Sequence, residues 1–153
     1  MGSEQEKGVV ETAIFRDFAA KAPLPIDAST IGKRSGEREP DITCVFTGEG
    51  IVAFELVEIC DSTIAHATAV LRAGGECEAL WTSDPSVEIV RRKLHKSYDT
   101  SAPVELLCYT RGRVVSPDDV ILDRIRPWFD AIEGQFRRAW FLGDEVHEVW
   151  RAG

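Results

Sequence analysis

Three acidic residues have the types and spacing best suited to chemistry in this sequence. Asp41 follows Pro40 and precedes an alternating, β-branched segment at 42–47, and Glu55 lies within a longer apolar segment at 51–60. A carboxylate inside an apolar strand is costly to bury unless it is paired or binds a cation. Because successive strand side chains face opposite ways, Asp41 at the start of one strand can lie beside Glu55 across a hairpin.

Glu11 is the third acidic candidate because of the helix that carries it. Apolar residues recur at helical spacing over 9–21, and they stand three, four and seven positions after Glu11. The Glu11 carboxylate is therefore expected to project toward the sheet. Hard oxygen ligands suit Mg²⁺ or Mn²⁺, and such a metal can activate water and bind a phosphate oxygen. Glu11, Asp41 and Glu55 together predict a divalent-metal site.

The elements that must position these groups follow from periodicity and from turn residues. The pattern predicts a flexible tail at 1–8 and one domain over 9–153. Asp61-Ser62 and Asp84-Pro85 are typical of helix starts, and Pro127 is expected to kink or divide the last long helix. The predicted order is helix 9–21, strands 28–34, 42–47 and 51–60, helices 62–72 and 84–98, strand 103–109, a helix after Ser116-Pro117, and a hairpin of strands 138–142 and 146–150. This order indicates an α/β domain with a mixed central sheet and helices on both faces.

The acidic residues also carry a resemblance to a known family. Pro40-Asp41, followed by Glu55-Leu56-Val57 on the next strand, resembles the motif of the PD-(D/E)xK, or restriction-endonuclease-like, nuclease superfamily. The element order over residues 8–110 is similar to the core of that family. The resemblance implies that Asp41 and Glu55 hold Mg²⁺ or Mn²⁺, that Glu11 joins them, and that the domain hydrolyses phosphodiester bonds in nucleic acid.

The chain departs from the family motif at Val57, where the family has a lysine that assists the attacking water. Valine cannot stabilise a hydroxide or a developing negative charge. Either a cation comes from elsewhere, with Lys33 and Arg34 as the candidates, or the domain has lost its chemistry and acts as a binding or interaction module. A small-molecule hydrolase that uses the same carboxylates is a third interpretation.

Each acidic residue also has a purely structural interpretation. Asp41 can cap the turn after Pro40. Glu55 can be a strand carboxylate paired with an arginine, and Glu11 can reach water from the edge of the apolar stripe. The sequence leaves these alternatives open.

One dense basic cluster stands on the predicted helix at 84–98. It is either a solvated face or a phosphate-binding face that suits nucleic acid. Its members are Arg91, Arg92, Lys93, His95 and Lys96.

Composition limits the function further. The chain has 153 residues and a formal net charge of −8, which argues against broad, sequence-independent contact with nucleic acid but allows a local basic groove. No apolar run is long enough for a membrane span. The four cysteines lack CxxC spacing, so we expect reduced, mostly buried thiols and a cytoplasmic protein. The closing hairpin offers an edge strand for a homodimer.

Overall fold

A six-stranded mixed sheet forms the centre of the molecule. The structure is a computed structural model and describes residues 3–76 and 84–153. The elements are α1 (Ser3–Lys21), β1 (Ile26–Lys33), β2 (Ile42–Phe46), β3 (Gly50–Glu58), α2 (Ser62–Arg72), α3 (Ser86–Leu94), β4 (Val104–Tyr109), α4 (Asp118–Ala131), β5 (Phe136–Leu142) and β6 (Val146–Arg151). The strands lie in chain order, with parallel pairing of β3 with β4 and of β4 with β5, and antiparallel pairing elsewhere. The predicted mixed α/β domain is thereby confirmed.

Helices cover both faces of the sheet because alternate strand residues are apolar on each side. On one face, α1 packs Phe15 and Phe18 against Phe54 of β3, with ring centroids 4.8 and 5.7 Å apart. On the other face, α3 and α4 bury apolar residues such as Val90 and Ile125 against a second core. A sheet with two covered faces needs the near-continuous apolar strands seen here, which makes any charged strand residue conspicuous.

The β2–β3 hairpin fixes the register that matters for the acidic residues. Its turn contains Gly48 and Gly50 at φ values of 89° and 116°, a conformation that favours glycine. Ile42 of β2 pairs with Phe54 of β3. The next pair along the two antiparallel strands is therefore Asp41 with Glu55, and their side chains project to the same face.

Some predicted boundaries were wrong. Helix α1 begins at Ser3, so it includes residues that the sequence assigned to the tail; these residues are polar, and Glu4 and Glu6 suit the positive end of the helix dipole. Helix α3 ends at Leu94 rather than at Tyr98. Helix α4 continues through Pro127 and buries apolar side chains on both sides of it, which excludes the predicted division, and the alternative of a kink stays a prediction.

Two residues were predicted to cap helices, and Asp61 does so while Ser116 does not. Asp61 caps α2 as expected, since its Oδ1 accepts from the backbone N–H groups of Thr63 and Ile64 at 2.8 and 3.4 Å. Ser116 makes no such cap for α4. Its hydroxyl instead donates to Oδ2 of Asp84 at 3.1 Å, which joins the start of α4 to the start of α3.

The three cysteines in the described residues are free thiols. Cys44 and Cys108 are buried free thiols, and burial raises the pKa of each to about 12. Cys60 is free but only half-buried, and Cys77 lies outside the described residues.

No helix in the described ranges is long and apolar enough to cross a membrane. Strand β6 is an edge strand, and a homodimer through it stays a prediction.

Candidate functional site

Asp41 and Glu55 form a reciprocal pair at the end of the β2–β3 ladder. The Asp41 backbone N–H donates to Glu55 Oε1 at 3.2 Å, and the Leu56 N–H donates to Asp41 Oδ2 at 2.9 Å. Glu55 is only 2% exposed. The two carboxylates lie side by side, as the strand alternation predicted, and Glu55 has no arginine partner among the ion pairs of the described residues.

Glu11 approaches this pair from α1 through a lysine. Glu11 is 3% exposed, and its Oε1 lies 3.4 Å from Lys33 Nζ. The same ammonium lies 3.7 Å from Asp41 Oδ1. Lys33, at the end of β1, thus stands between two of the three acidic residues. Within the described part of the chain, Glu11 Oε1 is buried without a hydrogen bond of acceptable geometry.

Sequence analysis did not predict Lys93 as the cation that lies nearest to Glu55 among the described residues. Lys93 Nζ on α3 lies 2.7 Å from Glu55 Oε2, and Lys96 Nζ lies 3.7 Å from the same oxygen. Both lysines belong to the predicted basic cluster, but that cluster was interpreted as a phosphate-binding or solvated face. A signal was present, since Lys93 lies between Val90 and Leu94, which are both buried. A long side chain beside an apolar stripe can reach the sheet.

Among the ion pairs of the described residues, Arg34, Arg91 and Arg92 do not contact Glu11, Asp41 or Glu55. Arg91 packs its guanidinium over the Trp128 ring at 4.7 Å from the ring centroid. Arg92 pairs with Glu88 in solvent at 2.5 Å. Arg34 pairs with Glu39 at 3.5 Å, although it lines the same cavity as the acidic residues.

The pKa values of Glu55 and Glu11 are raised although both carboxylates have lysine partners. Burial, followed by the charge of Asp41, raises the pKa of Glu55 although Lys93 acts in the opposite sense. Burial and Asp41 likewise raise the pKa of Glu11 against the effect of Lys33. Asp41 therefore repels both buried glutamates, and the lysines offset this repulsion only in part. An additional cation would relieve that repulsion.

An open cavity of about 1250 Å³ gives solvent and ligands access to the acidic residues. Glu11, Asp41 and Glu55 all line it. Basic side chains from three parts of the chain share the lining: Lys7, Arg16, Lys33, Arg34 and Lys96. Three more carboxylates, those of Glu4, Glu37 and Glu39, also line the cavity, so its charged surface is mixed, with six acidic and five basic side chains.

The residues fit a divalent cation in chemistry, and only in part in arrangement. Asp41 and Glu55 supply adjacent hard oxygen ligands of the kind Mg²⁺ and Mn²⁺ take. Within residues 3–76 and 84–153, however, no group of three or more acidic, histidine or cysteine side chains is arranged to hold a metal ion. Asp41 and Glu55 would hold the ion, and Glu11 would join them only if Lys33 moved aside.

Comparisons of the chain with protein-family models, with curated proteins and with solved structures found no match. The chemistry of the site must therefore be inferred from its own residues. Two adjacent carboxylates, a third across Lys33 and two lysines on Glu55 provide that basis.

Proposed function

We propose that this protein is a Mg²⁺- or Mn²⁺-dependent nuclease of restriction-endonuclease-like architecture that hydrolyses phosphodiester bonds. The observation that carries the proposal is the Asp41–Glu55 pair in an open cavity, with the Lys93 ammonium 2.7 Å from Glu55. The order of a helix, three antiparallel strands and a fourth strand parallel to the third agrees with the architecture.

Lys93 supplies the positive charge that is missing at Val57, the lysine position of the motif. Val57 is partly buried and packs against the core under α3 and α4, so strand β3 presents no cation beside Glu55. The Lys93 ammonium arrives at the same carboxylate from the helix. A positive charge held there can stabilise negative charge that develops on the phosphate or on the attacking water. Lys93 therefore takes the role for which Lys33 and Arg34 were the sequence-based candidates.

The bound metal would supply a water of lowered pKa and would neutralise phosphate charge. Asp41 and Glu55 orient that ion, and the two backbone N–H groups on their carboxylates fix the side chains. Lys33 holds Glu11 toward the cavity. Six carboxylates in the cavity lining outnumber its five basic side chains, so a phosphodiester would depend on the bound metal for its attraction to this chain of net charge −8.

The test is single-turnover cleavage of fluorescent single-stranded and duplex oligonucleotides in Mn²⁺. We expect Lys93→Met to lower the rate by about 10²–10³-fold, the usual loss when an electrostatic donor to the transition state is removed. Adding Val57→Lys to Lys93→Met should restore part of the rate, because the cation returns beside Glu55. Glu55→Gln should abolish cleavage.

Lys21→Met is the matched control, since Lys21 forms an exposed ion pair with Asp17 on α1; its rate should equal that of the wild type. Wild-type cleavage that survives both Glu55→Gln and Lys93→Met would refute this active site. Absence of cleavage together with absence of Mn²⁺ binding would refute the nuclease.

A catalytically degenerate binding module is the second candidate. It is favoured by the lysines that already neutralise each acidic residue and by the lack of a three-ligand group in the described residues. Such a module would bind oligonucleotides with the same affinity in Mn²⁺ and in chelator, and it would not cleave them.

A further inference from the structure

Tyr98 has a buried hydroxyl group without a hydrogen-bond partner among the described residues. The residue is 6% exposed. Among the described residues, its hydroxyl and Glu11 Oε1 are the two buried side-chain polar atoms without a hydrogen-bond partner. A buried hydroxyl is costly to leave unsatisfied, so such a group needs an explanation in another state of the protein.

The surroundings hold the Tyr98 ring in place. The Tyr98 N–H donates to Gln135 Oε1 at 2.8 Å, and Gln135 Nε2 donates to the Tyr98 carbonyl oxygen at 3.1 Å. The ring packs against Phe136 with centroids 5.7 Å apart, and Lys96 Nζ lies 5.4 Å from the ring centroid. These contacts explain why α3 stops at Leu94, because the following segment is tied to the loop before β5.

Lys96 links this fixed ring to Glu55, because its Nζ lies 5.4 Å from the ring centroid and 3.7 Å from Glu55 Oε2. After burial, the charge of Glu55 is the largest cause that raises the pKa of Tyr98. The phenol therefore stays protonated and can only donate to a carboxylate. Unlike Lys93 and Lys96, it is neutral, so it can orient the Glu55 carboxylate without offsetting the charge of that group.

We infer that Tyr98 is a positioning residue for Glu55, whose hydroxyl donates to the Glu55 carboxylate and holds it in the metal-binding orientation when a divalent cation is bound. The inference rests on the proposed function, because it requires Glu55 to be a metal ligand. A neutral donor behind a metal-binding carboxylate fixes its orientation and typically changes metal affinity about 10–100-fold.

Tyr98→Phe tests the inference, with Mn²⁺ as the probe. The variant removes one oxygen atom and keeps the ring, so the melting temperature of the metal-free protein should stay the same or rise as the unsatisfied hydroxyl disappears. Calorimetric titration should show Mn²⁺ binding weakened by about 10–100-fold. In single-turnover cleavage, the Mn²⁺ concentration for half-maximal rate should rise by the same factor.

Ser116→Ala is the control, because it also removes a hydroxyl group that faces a carboxylate, that of Asp84, and neither residue lines the cavity. It should bind Mn²⁺ as the wild type does. A Tyr98→Phe protein with a lowered melting temperature and unchanged Mn²⁺ affinity would overturn the inference and leave the proposed nuclease standing. A wild type that neither binds Mn²⁺ nor cleaves would overturn both.

Discussion

Two buried glutamates on adjacent parallel strands have opposite electrostatic surroundings. Glu55 of β3 is 2% exposed and Glu105 of β4 is 0% exposed. Burial tends to raise the pKa of each. At Glu105, hydrogen bonds from Arg138, Trp140 and Arg137 overcome burial and hold the pKa below its usual range. At Glu55, the neighbouring Asp41 adds to burial, and the pKa is raised.

The difference lies in how completely each carboxylate is satisfied. Glu105 accepts from Arg137 Nε at 2.8 Å, from Arg138 Nε and Nη2 at 2.9 Å each, and from Trp140 Nε1 at 2.7 Å. It joins β4 to β5 and does not line the large cavity. Glu55 faces a like charge and opens on that cavity. A buried carboxylate with a full set of donors and a lowered pKa stabilises the fold, whereas one whose pKa stays raised beside a like charge, despite two lysines, is a candidate for ligand binding.

The largest expected effect is on the stability of the metal-free protein. Glu105→Gln leaves the partly buried Arg138 without its counter-charge and should lower the free energy of unfolding by about 3–5 kcal/mol. Glu55→Gln should leave that free energy unchanged or raise it, because repulsion from Asp41 is relieved. Urea unfolding of both variants checks the contrast, and an equal loss in the two would show that Glu55 is as structural as Glu105.

The second-largest expected effect is the increase in the free energy of unfolding when Mn²⁺ binds. At a Mn²⁺ concentration about 100 times the dissociation constant, binding adds about 2.7 kcal/mol to the free energy of unfolding. Asp41→Asn and Glu55→Gln should lose this gain, whereas Glu105→Gln should keep it despite its lower starting stability. Thermal melts with Mn²⁺ and with chelator measure the gain. Equal shifts in the wild type and in all three variants would exclude a metal at Asp41 and Glu55.

Local sequence patterns predicted where the three acidic residues lie. The contacts of Lys93 and Tyr98 depend instead on packing between residues that are distant in sequence. Strand alternation and a glycine turn were enough to bring Asp41 beside Glu55, and helical spacing was enough to turn Glu11 inward. Lys93 is 38 residues from Glu55 along the chain, and Tyr98 is 37 residues from Gln135. Such contacts depend on how α3 and the segment after it pack on the sheet, and no short-range pattern contains that information.

A smaller effect is expected at Lys33, whose ammonium stands between Glu11 and Asp41. Because Lys33 is about one-third exposed, Lys33→Met should cost the metal-free protein no more than about 1 kcal/mol. Mn²⁺ should then bind more tightly, since the metal no longer competes with the ammonium for Asp41 and Glu11. Calorimetric titration against the control Lys21→Met measures this change. Weaker Mn²⁺ binding in Lys33→Met would mean that Lys33 assists the bound state instead.

The smallest effect is the pH dependence, and it has opposite signs at the two glutamates. Because its folded-state pKa is raised, Glu55 binds its proton more tightly in the folded protein. Its contribution to stability is therefore lost as pH rises from the ordinary value of 4.5 toward the raised one. Glu105 has a lowered pKa, so its contribution is present above 4.5 and is lost as pH falls through the folded value.

Melting temperatures of the wild type, Glu55→Gln and Glu105→Gln across this range separate the two contributions. The advantage of Glu55→Gln over the wild type should grow as pH rises above 4.5 and should vanish in Mn²⁺, because bound metal would stabilise the ionised Glu55 of the wild type. The deficit of Glu105→Gln should shrink as the solution is acidified. A Glu55→Gln advantage that grows on acidification would reverse the sign argued here and would place Glu55, like Glu105, among the fully compensated carboxylates of the core.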